Sequence, residues 1–143
     1  MNTTQKIDHK QNIPDILQAM GQVHGVIDCH RLDRTLYHLV LLRASQINQC
    51  DYCIDMHTRE AIEDGESKKR LASMGGWHQS ELFSSREKIA FAWTEALTKL
   101  DNLPNLGKIR AELRQYFTDK EVSLLTANIA MINLWNRIQI SEH

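Results

Sequence analysis

The chain has too few cysteines for a disulfide scaffold, almost no net charge and no long apolar run, and each shortage excludes a class of protein. Three cysteines in 143 residues cannot staple an extracellular framework. They point to a reducing compartment in which a disulfide would be transient, so the cytoplasm is the expected location. A net charge of −1 gives no electrostatic reason to expect nucleic acid as a partner. The longest strictly aliphatic run is Leu39-Val40-Leu41-Leu42, and Met1 to Lys6 is polar, so neither a membrane partner nor a secretory signal is expected. Alternating patterns of the kind that build strands are essentially missing. No repeat or linker-like tract divides the chain, and no haem, flavin or nucleotide motif suggests a cofactor.

What is present reads as helices. The 42% apolar and 24% charged content is near the average for soluble globular proteins, and this length suits one domain that buries about two-thirds of its unfolded surface. Pro14 is placed to start a helix through Ile16, Leu17 and Met20, with Gly21 or Gly25 ending it. Asp33 caps the next, in which Leu36, Leu39, Val40, Arg43, Ala44 and Ile47 recur at three and four. That pattern stops at Asn48. A further helix is expected from about Cys50 to Asp64, with Gly65 as its C-terminal cap, and a short one from Ser67 towards Gly75-Gly76. Ser84 with Glu87, and Thr118 with Glu121, have capping-box spacing ahead of two longer periodic segments. The expectation is one all-α domain of six or seven helices.

Cys50, Cys53 and His57 lie at i, i+3 and i+7 of the helix that follows Asn48, within about 60° of one another on one face. The cysteine pair falls in the first turn, where free backbone N–H groups stabilise a thiolate. His57 is one turn further on, close enough to exchange a proton with Cys53. A redox-active dithiol with its own acid–base group is the first reading. A zinc site is a second, with His38 or His78 completing a set of four, although the second paired knuckle of a structural zinc site is missing. Two buried, inert cysteines are a third. The thioredoxin arrangement needs a βαβ unit, and none can be drawn around Cys50.

The run Arg43-Ala44-Ser45-Gln46-Ile47-Asn48, then Cys50, Tyr52-Cys53-Ile54 and Met56-His57-Thr58, closely resembles the AhpD-like alkylhydroperoxidase branch of the carboxymuconolactone decarboxylase family. The likeness continues through Gly65, Arg70-Leu71, Trp77, Phe83, Glu87, Trp93 to Thr98, and Asn133 to Arg137. It covers roughly residues 32–137. It implies an all-α fold assembled as trimers or as hexamers, with a peroxide as substrate and an external dithiol, of lipoyl or another type, as reductant. Residue by residue it implies Cys53 as the peroxidatic thiol, Cys50 as its resolving partner and His57 as the family histidine. One position departs: the family usually has a glutamate twelve residues before the first cysteine, and here that residue is His38. His38 is expected to relay protons in its place, with a shifted pH optimum. A lyase reaction, for which the wider family is named, and a non-enzymatic redox or zinc-binding dithiol remain as alternatives.

Thiol acidity alone cannot supply much rate. Lowering a cysteine pKa from about 8.5 to about 6.5 raises the thiolate fraction at pH 7 from roughly 3% to roughly 75%. Lost nucleophilicity returns most of that, leaving a gain of about three- or fourfold. A positioned acid that protonates the departing oxygen contributes roughly 10²- to 10⁴-fold. His57 is therefore expected to matter more than thiol tuning.

The other tempting residues are expected to be structural. Cys29 is read as a buried or incidental thiol, Trp77-His78 as part of a loop, Lys68-Lys69-Arg70 as a solvated face, and Trp135-Asn136-Arg137 as ordering a helix end or a subunit contact.

Overall fold

A computed structural model describes residues 3–101 and 103–143. Among them every regular element is helical: α1 His9–Asn12, α2 Pro14–Cys29, α3 Arg34–Ile47, α4 Asp51–Glu63, α5 Lys68–Ala72, α6 Ser85–Lys99, α7 Leu106–Leu113 and α8 Asp119–Ser141, with 3₁₀ turns at Met74–Gln79 and Leu103–Asn105. Six of these helices have eight residues or more, in line with the six or seven expected. Among the described residues no helix is long and apolar enough to cross a membrane.

The helix starts follow from local chemistry. Asp33 accepts from the backbone N–H groups of Thr35 and Leu36, and Ser84 and Thr118 each complete a capping box, with Glu87 and Glu121. Such caps satisfy N–H groups that a helix leaves unpaired, at about 1 kcal/mol each.

α3 is the central element, packed against α4, α6 and α8. Its Leu36, Leu39, Val40 and Leu42 join Phe91 and Trp93 of α6 and Leu125 and Ile129 of α8 in the main core, while Leu41 and Ala44 meet Ile132 of α8 in a second, smaller cluster. The sequence pattern marks one apolar face, yet α3 is buried nearly all round, including His38 and Ser45. Partners on three sides require that.

Three expectations change. α2 runs through Gly21 and Gly25 to Cys29, since a glycine costs a helix interior only about 1 kcal/mol and neither residue takes the positive φ that Gly65 does. Trp77 and His78 lie in a 3₁₀ turn, with Trp77 buried and its indole N–H donating to Glu95. Arg70 is not a solvated charge: it bonds Glu66 at 2.6 Å and also Glu87. Cys29 is free and exposed.

Candidate active site

The turn between α3 and α4 sets the site. Gln49 sits at φ +57°, its N–H donates to the carbonyl of Gln46 at 3.2 Å, and the N–H of Cys50 donates to that of Ser45 at 3.1 Å. These two bonds are the Schellman closure of a helix, here with glutamine where glycine is the usual left-handed residue. Asn48 Nδ2 donates to Asn133 and Asn136 of α8, each at 2.9 Å. Asn136, fully buried, donates in turn to Ser45 Oγ at 3.0 Å. The turn is thus tied to α8 from inside. Trp135-Asn136-Arg137 therefore lies mid-helix.

Cys50 is the N-cap of α4 and Cys53 lies in its first turn. The two form a disulfide with their Cα atoms 5.2 Å apart. Cys53 and His57 line one cavity of about 300 Å³, walled by Tyr37, Leu41, Met56, Ile132 and Trp135, with Glu60 and His24 at polar points. Trp135 is therefore a wall of the site. Its indole N–H donates to His24 Nε2 at 2.6 Å, which fixes that tautomer with the lone pair on Nε2. A larger cleft of about 530 Å³ beside Trp93, Arg110 and Arg114 holds none of the four candidate site residues Cys50, Cys53, His57 and His38.

His57 is buried. Burial pushes its pKa below the ordinary value, the Glu60 carboxylate pulls it back up, and His38 and His24 lower it further. It is neutral at pH 7 and free to accept a proton. Its Nδ1 stands 3.4 Å from Glu60 Oε2 without hydrogen-bond geometry, so the contact is electrostatic. Glu60 carried no motif signal, although its i+3 spacing from His57 could have revealed it.

His38 is placed differently from the other three. Its Nε2 donates to Asp64 Oδ2 at 2.6 Å, and its Nδ1 is buried without a partner. Asp64 caps the C-terminus of α4, where the helix dipole disfavours a carboxylate. Hydrogen bonds from His38 and then Arg34 hold its pKa below the usual range. Among the described residues no three His, Cys, Asp or Glu side chains converge as metal ligands.

A sequence profile of the carboxymuconolactone decarboxylase family matches residues 14–96. The chain belongs to that family. Within it the chain is AhpD-like: it superposes with a TM-score of 0.91 and 30% identity, over 97% of this chain and 95% of the other, on a protein of unknown function from Agrobacterium tumefaciens that has been assigned provisionally to antioxidant defence as AhpD. An uncharacterised peroxidase-related protein from Silicibacter shares the fold at TM-score 0.78 and 15% identity, over 88% of this chain and 67% of that one. Among sequence relatives of this AhpD-like chain, YdfG of Bacillus subtilis is 28% identical over 96% of this chain and 94% of its own length. YnjA of Escherichia coli is 29% identical over 85% and 68%. Both are uncharacterised proteins.

Proposed function

We propose that the protein is a thiol-dependent peroxidase that reduces alkyl hydroperoxides in antioxidant defence. The observation that carries this reading is the shared cavity: Cys53, disulfide-linked to Cys50, and the neutral base His57 open on the same apolar-walled space.

The cycle starts from the reduced pair. His57 accepts the Cys53 proton, and the thiolate attacks one peroxide oxygen. The O–O bond breaks, the other oxygen leaves as alkoxide and takes the proton back from His57, and Cys53 becomes a sulfenic acid. The Cys50 sulfur then displaces hydroxide from Cys53, which leaves as water and forms the disulfide. An external dithiol restores both thiols. The apolar walls Leu41, Met56, Ile132 and Trp135 favour a peroxide with a hydrocarbon substituent.

His57 and Glu60 manage the proton in this scheme. His38, bonded to Asp64, holds the α3–α4 contact and does not touch the peroxide. Assembly as a trimer or hexamer in the cytoplasm belongs to the same proposal, and sedimentation reads the assembly.

Single-turnover oxidation of the reduced protein by cumene hydroperoxide tests the reading. The expected result is a Cys50–Cys53 disulfide in wild type and sulfenic acid on Cys53 in Cys50→Ser. Oxidation no faster than that of a free thiol, or turnover of a carboxylated muconolactone without added thiol, would replace it.

A further inference from the structure

The two sulfurs of the disulfide open on different spaces. Cys53 lines the cavity it shares with His57. Cys50 lines a separate surface groove of about 470 Å³, whose other walls include Asp51 at the start of α4 and Ile140 and His143 at the end of α8. Tyr52 and Gln139 line both spaces and form the partition between them. We infer that this groove is the docking site of the reductant, a neutral dithiol, and that its thiolate attacks Cys50 while the peroxide enters on the Cys53 side.

Leaving-group chemistry is compatible with this route. Attack on Cys50 expels Cys53, which shares the N-terminal turn of α4 with Cys50, where unpaired N–H groups stabilise a developing thiolate. Attack on Cys53 would have to come through the peroxide cavity and would expel the Cys50 sulfur from the cap position instead. The bonds balance: the reductant sulfur bonds to Cys50 Sγ, the Cys50–Cys53 bond breaks, and its electron pair goes to Cys53, which takes a proton.

The mixed disulfide on Cys50 then faces a choice. Cys53 is one helical turn away and can attack back, restoring the starting disulfide at high effective concentration. A reductant with a second thiol outruns that reversal by closing its own disulfide and releasing Cys50 as a thiolate, which is then protonated. The reductant loses two electrons and two protons, and the cysteine pair gains them. A monothiol has no such exit. Asp51, a carboxylate in the wall of the groove, disfavours an anionic thiolate carrier over a neutral one.

This inference rests on the dithiol cycle proposed above, but its test starts from the oxidised protein and needs no peroxide. Cys29→Ser removes the exposed third thiol from the count. In that background, reaction of the disulfide with excess 2-mercaptoethanol, acid quenching and tandem mass spectrometry should place the adduct on Cys50. Reduction by dithiothreitol should slow at least fivefold in Ile140→Glu relative to the protein with Ile140 intact. His143→Glu, at an exposed position, should slow it in the same direction. An adduct on Cys53, or dithiothreitol rates unchanged in both groove variants, overturns the inference. Peroxide oxidation is read separately, so its failure would remove the peroxidase reading and leave the docking result standing.

Discussion

His38 Nε2 donates to Asp64 across 2.6 Å, from a ring 3% exposed to a carboxylate 42% exposed. The bond joins the middle of α3 to the end of α4. His38→Ala removes a buried ring and its bond to Asp64, which keeps Arg34 at 2.7 Å, and is predicted to lower the melting temperature. Peroxide oxidation should stay within a factor of about three, under roughly 0.7 kcal/mol of barrier. His38→Glu, which restores the family's usual residue, sets a second carboxylate against Asp64 and should be less stable than wild type. A direct proton relay through His38 would instead show as a loss of about 10²-fold or more in the alanine variant, so denaturation and stopped-flow oxidation together decide.

Glu60→Gln removes the one nearby group that raises the His57 pKa. Nuclear magnetic resonance titration of His57 should show its pKa falling, and the acid limb of the oxidation profile should move to lower pH with it. Glu60→Asp should recover part of the shift. An unchanged His57 titration in Glu60→Gln would mean that the 3.4 Å contact carries no coupling.

The turn before the dithiol offers two opposite stability changes. Gln49→Gly relieves a left-handed backbone worth about 1 kcal/mol, raising Tm by roughly 2–4 °C. Asn136→Ala removes two hydrogen bonds, from Asn48 and to Ser45, at about 1–3 kcal/mol together, although Asn48 keeps Asn133 and Ser45 keeps the Leu41 carbonyl. It should also slow disulfide formation, since the same amide network holds the turn that presents Cys50. Thermal melts and thiol counting check both.

Acid should weaken the protein in two stages. His57 has a lowered folded pKa, so its contribution is complete above the unfolded value of about 6.5 and is lost as the pH falls below it. Glu87 and Glu95 follow. Burial would raise each, but hydrogen bonds from Arg70 to the first, and from Trp77 and Arg43 to the second, hold both below the usual range. Their contribution is present above the unfolded value of about 4.3 and lost as the pH falls through the folded values. Urea midpoints between pH 8 and pH 3 should fall in both windows. In His57→Phe the first decline should be absent.

Local signals with a fixed geometric meaning were legible from residues alone. The Asp33, Ser84 and Thr118 caps and the break at Asn48 all depend on hydrogen bonds made within a few residues. The start of α2 at Pro14 was legible as well, but its C-terminal end was not, because glycine is a weak breaker and no residue after Gly25 announces a stop before Cys29. Cys50, Cys53 and His57 were readable because one helix carries all three. Glu60, His24 and Trp135 were harder. They reach the same cavity from three helices, and only tertiary packing brings α2 and α8 to the dithiol.

Cys50 closes α3 through its N–H and opens α4 as its cap, so one residue belongs to both helices and no spacer separates them. Chain length there is consequently a coordinate of the chemistry. Removing Gln49 or adding a residue beside it would turn α4 by about 100° of helical phase, in opposite senses, carrying Cys53 and His57 off the cavity while leaving both helices intact. Loops elsewhere on such a scaffold can grow or shrink, but this joint tolerates substitution and not a change in count.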